Sequence, residues 1–472
     1  MGKGCKMSKK TFIFLFFYIV YYIIFAFWAY SIWKTPPSNY EAEMFPWFVY
    51  SLVFNLFGFI FVKKINYINI AFWFVILSYL FMFGHIITSV FNLETTLLWR
   101  PGDYFSTTNK FYASVYAQFA LNSIAIGAII VQKPKENPSI KTVGLERSSY
   151  FELKNMKTMG WILFLIGFLT NMISSAKAIG ITTTTGSYTS LASGVSSGVL
   201  DDFGFFMIPG FAYILSSKSL TKRKSFWFTL SVCLYYMTTM VFSGSRRLQL
   251  YAIIVVVICY LWSTQRKSFS LKTLFFVVVG GIFFLDLIYV IRENRTDVMS
   301  IVPAFLEQLT SFQFLGNVVG ETLTETGISF YSVVAILSTV PSVFPYELGM
   351  TFIRTIPSIL PIGWLVGDFF NKAASTYVIN RYTGLPVGSS LIGDFYWNFG
   401  FIGGIVLSLF FGIFIEKISV NLLKKTKYTP LYFSFMYAML IGLRSGVVEI
   451  FRPMLMVLII PWIIRYIRIR RR

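Results

Sequence analysis

Charge is scarce in this chain. Asp, Glu, Lys and Arg make up 13% of its 472 residues, against about 25% in a soluble domain, and that excludes an ordinary water-soluble globule. Cysteine occurs three times and histidine once. Cys5 lies in the basic N-terminal tail and Cys233 and Cys259 lie inside apolar runs, so neither a disulfide framework nor metal-ligand spacing is present. His85 has no His or Cys companion with which to hold a metal. No segment repeats at solenoid periods, and no duplicated halves of the kind many transporters carry are visible. Carboxylates are outnumbered, 20 against 41 lysines and arginines, for a net charge of +21. In a soluble chain that balance would suggest nucleic acid. Here the bases fall in short clusters between apolar runs, so they report topology, and no nucleic-acid partner is expected.

What is abundant is hydrocarbon. Hydrophobic residues reach 56%, aromatic residues 19% and mean hydropathy +0.67, the composition of an all-α polytopic membrane protein. A bilayer takes about 20 apolar residues per helix. About twelve runs approach that length: 11–33, 45–62, 68–91, 111–131, 158–178, 203–216, 227–242, 248–262, 274–291, 391–415, 431–443 and 454–464. The tail MGKGCKMSKK carries the charge of a signal peptide, but the run after it is too long and no small-residue cleavage site follows; it is expected to stay as the first span. With the N-terminus in the cytoplasm, most lysines and arginines fall on the inner side and most carboxylates outside. That asymmetry orients the chain, with both termini cytoplasmic in a bacterial cell (inner) membrane.

Three regions follow: a membrane bundle of about nine spans at 1–291, a large external loop at 292–390, and about three spans at 391–472. The loop is polar yet aromatic, carrying Glu321, Glu347, Arg354, Asp368, Lys372 and Arg381 among others. Long loops are usually functional or disordered, and this one is too apolar for disorder; it reads as a folded cap. Residues 328–344 are apolar enough for an interfacial or re-entrant helix, or a full span. A Thr/Ser/Gly-rich stretch at 181–194 reads as an external surface loop.

Several polar groups stand at the outer ends of spans. SGSRRLQLY (243–251) offers two guanidiniums where topology favours neutral or acidic residues. Arginine's planar fork matches phosphate oxygens. The pair either holds lipid phosphate at the headgroup level or serves a site; adjacent helical residues point about 100° apart, so only one of the two faces a shared site, and Arg246 is the favoured one. LRSGVVEIFRP (443–453) places Glu449 between Arg444 and Arg452; a continuous helix would bring both arginines near one face, with either a salt bridge to Glu449 or a direct role open. Asp286 interrupts an apolar run, a position that is rarely lipid-facing, and His85 reads as an interior residue. Gly400, Gly403 and Gly404 form a small-residue face for close packing. Just before them, Asp394, Tyr396 and Asn398 give a carboxylate, a phenol and an amide where a helix enters the membrane, groups suited to hydroxyl-rich ligands.

SGSRR at the head of one span and GSSLIGDFYWNFGFIGG (388–404) after a long external segment together resemble the oligosaccharide repeat-unit polymerases, the Wzy-type O-antigen and capsule polymerase family. There a Gly-Ser-(x)-Glu-x-Tyr-x-Asn-Phe-Gly-x-x-Gly pattern follows the large external loop. This chain departs in having Asp394 where the family commonly has Glu. The resemblance implies a GT-C-like membrane glycosyltransferase that joins undecaprenyl-diphosphate-linked oligosaccharides on the external face, with no metal and no other cofactor. Its implied partners are that lipid-linked glycan, membrane lipids, a flippase and a chain-length regulator. On this reading Arg246 and Arg444 steady the departing diphosphate, with Arg247, Arg354, Arg381 and Arg452 in reserve. Asp394 is the base or orients the acceptor, backed by Glu449 and Glu321, and Tyr396 and Asn398 line the sugar site. An O-antigen-ligase-like transferase and a lipid-linked oligosaccharide flippase are the alternatives.

Overall fold

The computed structural model describes residues 9–65, 68–93, 100–131, 150–185, 199–243, 247–264, 303, 314–359, 369, 371–424 and 426–470. Cys5, Arg246, Asp286, Asp368, the run 274–291 and residues 186–194 of the Thr/Ser/Gly-rich stretch lie outside them. Among the described residues the chain is helical and contains no strand. Eight helices are long and apolar enough to cross a membrane: Lys9–Ser31, Tyr40–Val62, Ile70–Val90, Thr107–Ile130, Leu153–Ile181, Lys222–Ser243, Leu391–Leu423 and Val447–Tyr466. Each coincides with one of the twelve expected runs.

Two of the other runs form something different. Residues 203–216 give a 10-residue helix, Met207–Ser216, and residues 431–443 a 13-residue helix, Thr429–Ile441, and every residue of both is buried. Both are shorter than the about 20 residues a bilayer takes, and both belong to the second unit. A third, Arg247–Ser263, is a shorter apolar helix.

The chain forms two compact units. The first comprises Met1–Asn137, Val319–Val420 and Gly442–Glu449. In it α1 (Lys9–Ser31), α2 (Tyr40–Phe57), α3 (Ile70–Val90) and α4 (Thr107–Ile130) form a bundle. Asn39, Asn69 and Ser106 begin α2, α3 and α4 as N-caps, each accepting an amide of the first turn, which satisfies donors a helix start leaves open. Inside the bundle Tyr18, Asn55, Tyr79 and Asn122 share one buried hydrogen-bond cluster. Lys63 and Glu416 form a buried ion pair at 2.9 Å; Asn69 Nδ2 donates to the same carboxylate at 3.1 Å, and Lys63 donates to the carbonyls of Ala128 and Val131.

The second unit comprises Pro138–Val318, Asn421–Ile441 and Ile450–Arg472. It holds α5 (Tyr150–Thr185), α6 (Val199–Gly204), α7 (Met207–Ser216), α8 (Lys222–Ser243) and α9 (Arg247–Ser263). A Cβ on Gly167 or Gly210 would run into the backbone of the facing helix, so α5 and α7 touch main chain to main chain. Met156, Met159, Leu163, Tyr213 and Leu431 make its core.

Within the stretch read as a cap, α10 (Phe314–Thr339) is a 26-residue helix. From Val319 onward it belongs to the first unit and packs on α3, where a Cβ on Gly327 would strike the His85 amide. His85 lies buried with its ring stacked on Phe330, 4.0 Å between centroids. Beyond it come α11 (Met350–Thr355), α12 (Ser375–Thr383), α13 (Leu391–Leu423), α14 (Thr429–Ile441), α15 (Val447–Met454) and α16 (Ile460–Arg470).

Candidate functional site

In the first unit, the start of α13 meets the turn that opens α15. Asp394, in the first turn of α13, is 1% exposed. Its Oδ2 accepts the amide of Val447 at 2.7 Å. Glu449, the third residue of α15, reaches back to the amide of Gly446 at 3.1 Å. This is one half of a capping box, in which the N3 carboxylate satisfies the N-cap amide. Ser389 joins it from outside the helix, its Oγ accepting the same Gly446 amide at 2.8 Å and donating to Glu449. Thr376 Oγ1 donates to the second oxygen of Glu449 at 3.3 Å. Consecutive amides of one turn are thus held by two different carboxylates. Glycine at 446 leaves room for the Asp394 carboxylate, because a Cβ there would strike Asp394 Oδ2.

Asn398 lies one helical turn further along α13. Its Nδ2 donates to Thr351 Oγ1 and to the Asp394 carbonyl, both at 2.7 Å, and its Oδ1 accepts the Gly349 amide at 3.0 Å. At Gly400 the helix breaks, with φ 68° and ψ −165°. This is a conformation glycine tolerates and L-residues avoid. The carbonyls of Trp397 and Asn398 accept the amides of Glu347 and Leu348 at 3.1 and 3.0 Å, so the segment before α11 is sewn onto the break. Gly400 therefore serves the break itself, while Gly404 admits Tyr116, whose hydroxyl donates to the Ile392 carbonyl at 2.8 Å. Tyr396 packs edge-on against Tyr116, its ring centroid 5.2 Å away.

The arginines fall into distinct settings. Arg444 ends the 3-10 turn Gly442–Arg444, half-buried, two residues before Gly446. Arg354 forms an ion pair with Glu347 at 2.6 Å. Arg381 is exposed and donates to the Tyr377 hydroxyl. Glu321, on α10, is half-buried. In the second unit, Arg247 is the first residue of α9, and Arg452 forms an ion pair with Asp202 of α6 at 2.5 Å. Burial lifts the Asp202 carboxyl above the usual aspartate range, and Arg452 opposes that shift.

Arg444 and Arg452 do not share a continuous helix, because the chain breaks at Ser445 and Gly446 before α15 begins. Glu449 bonds to hydroxyls and an amide rather than to either arginine. Sequence reasoning missed Ser389, Thr376, Gly446 and Asp202. One cue was present: Gly446-Val447-Val448-Glu449 has N-cap-to-N3 spacing.

Among the described residues no group of three or more His, Cys, Asp or Glu is placed to hold a metal. The arrangement offers hydroxyls, carboxylates and a guanidinium at the head of two apolar helices, chemistry suited to a sugar and an anionic leaving group. No curated protein and no solved structure matches the chain. The sequence model of O-antigen polysaccharide polymerase Wzy matches residues 10–471, essentially the whole chain. A multi-pass helical bundle with this constellation at the head of α13, matched over that length, belongs to the O-antigen polysaccharide polymerase Wzy family and polymerises oligosaccharide repeat units.

Proposed function

We propose that the chain is a metal-independent glycosyltransferase acting on undecaprenyl-diphosphate-linked oligosaccharides at the external face of a bacterial cell membrane. Both termini are cytoplasmic, and a GT-C-like arrangement of about twelve spans presents the site. The excess of lysine and arginine in alternate inter-span segments supports that orientation. A flippase that delivers the repeat units and a regulator of chain length are the proposed partners.

In the reaction, a hydroxyl of one repeat unit attacks the anomeric carbon of the chain on its lipid carrier. The bond to the diphosphate breaks, the lipid diphosphate departs with the electron pair, and the hydroxyl proton passes to a carboxylate. Arg444 stabilises the charge growing on the diphosphate, with Arg354 as a further anion contact; the sequence pattern alone adds Arg246, and in reserve Arg247, Arg381 and Arg452, to the candidates for that role. One such preorganised donor is worth about 2.7–4 kcal/mol. Of the two roles open to Asp394, orienting suits its burial at 1% exposure. Glu449, half-buried in the same turn, takes the proton, and Glu321 is a reserve carboxylate. Tyr396 and Asn398 shape the sugar side of the site. The observation that carries this reading is the turn 444–449, which gathers a guanidinium and a half-buried carboxylate at the start of an apolar helix and is tied by Asp394 to α13.

The test is the size of lipid-linked glycan in cells whose only copy is Glu449→Gln. Single repeat units should accumulate while the protein inserts at normal level. Normal chain lengths would remove Glu449 from the chemistry. Long chains left unattached in a deletion strain would mark a ligase, and precursor trapped in the cytoplasm a flippase.

A further inference from the structure

One face of α12 has no settled part in the reaction at the Glu449 turn. Tyr377 and Arg381 stand one helical turn apart on it, both exposed. Arg381 Nη1 donates to the Tyr377 hydroxyl at 2.9 Å, and its guanidinium lies 5.6 Å from the ring centroid. The opposite face is anchored: Ser375 and Ile379 are buried, and Ile379 packs in a core with Ile336, Val340, Val387 and Trp397. The exposed pair is therefore carried on a fixed support. Arg381 forms no salt bridge with the described residues.

The same helix touches the carboxylate turn. Thr376, next to Tyr377, donates to Glu449. At a rise of about 1.5 Å per residue, Arg381 sits roughly 7.5 Å further along the axis. We propose that Tyr377 and Arg381 form a saccharide-binding platform, holding the sugar rings next to the one that reacts at Glu449. The phenol offers an apolar face to sugar C–H groups, and the guanidinium offers several fixed donors to sugar hydroxyls. The proposal rests on the polymerase reading of the Glu449 turn.

Lipid headgroups would also accept an arginine and a tyrosine, but the outward faces of neighbouring elements argue for sugar. Met350, Ile353 and Ile356, on α11 and the turn after it, are exposed and aliphatic. The exposed residues of α12, Tyr377, Arg381 and Tyr382, include no aliphatic side chain.

The experiment measures polymerisation by the full-length protein in lipid nanodiscs, using lipid-linked single repeat units extracted from a polymerase-deletion strain. Tyr377→Ala and Arg381→Ala should each raise the half-saturating substrate concentration about tenfold, the equivalent of ~1.4 kcal/mol, with the maximal rate held within about twofold. Tyr377→Trp, which keeps an aromatic face, should restore the lower value. Unchanged half-saturation in both alanine variants overturns the platform. A fall in maximal rate alone, relieved by changing the nanodisc headgroups, overturns it in favour of a lipid contact. Wild-type protein that makes no polymer from this substrate would sink the polymerase reading itself, an outcome separate from either of these.

Discussion

The carboxylate of Asp394 accepts the amide of Val447, 53 residues later, at 2.7 Å, and the neighbouring amide of Gly446 goes to Glu449. One turn is thus divided between a carboxylate of its own helix and one borrowed from α13. The last apolar helix begins where α13 fixes it. Any role for Arg444 or Glu449 inherits that fixing.

Asp394→Asn keeps an oxygen that can accept from Val447, whereas Asp394→Ala leaves the Val447 amide without that partner. Hydrogen bonds to charged groups contribute about 1.5–3 kcal/mol. We expect the alanine variant to lower the midpoint of thermal unfolding well below that of the asparagine variant. Asparagine should retain measurable polymer, and Glu449→Gln should lose about 10²–10⁴-fold in rate, the usual worth of a positioned base. Glycan sizing beside a melting curve separates the two. A rate loss for Asp394→Asn equal to that of Glu449→Gln would move Asp394 into the chemistry.

A Cβ added to Gly446 would strike Asp394 Oδ2. This close approach also explains why the shorter acid suits the present turn. Asp394→Glu adds a methylene to a filled space and should destabilise by about 1–3 kcal/mol. Gly446→Ala should do the same from the other side. If the two collide over one contact, the double variant will not be additive; additive losses in a melting assay would show that the contact is not shared.

Much of this was readable in advance. Eight runs form helices long and apolar enough to cross a membrane, and about 20 apolar residues in a row have few other uses. Residues 203–216 and 431–443 read the same way and form shorter helices that are buried throughout, a difference hydropathy does not show. The length of α10 was hidden because Glu321 and Glu325 interrupt its apolar pattern. At the site, Asp394 and Asn398 stood out as polar groups at the head of a greasy helix. Thr376 did not, because it meets Glu449 across 73 residues of sequence; in the second unit Asp202 was hidden in the same way, meeting Arg452 across 250.

Asn398 and Gly400 make a prediction of a different kind. The amide side chain closes on Thr351, Gly349 and the Asp394 carbonyl, and at Gly400 a Cβ would come within 3.3 Å of the Tyr346 ring at a φ of 68°. Asn398→Ala should release the 346–351 segment, measured as faster amide exchange there than in α4. Gly400→Ala should cost more in folded yield, because it forces an L-residue into left-handed backbone. Unaltered exchange at 346–351 in Asn398→Ala would mean that the backbone bonds from Glu347 and Leu348 hold the segment alone.

Lys63 and Glu416 test how the first unit tolerates charge in its interior. The pair is nearly inaccessible, and Glu416 also accepts from Asn69. Removing one partner of a buried pair strands the other charge and typically costs about 3–5 kcal/mol, while replacing both with apolar groups is often close to neutral. Lys63→Met and Glu416→Leu should therefore each lower the unfolding midpoint in detergent sharply. The double variant should recover most of the loss. A double variant no better than the worse single one would show that the bonds from Lys63 to the Ala128 and Val131 carbonyls, rather than the ion pair, secure this end of the bundle.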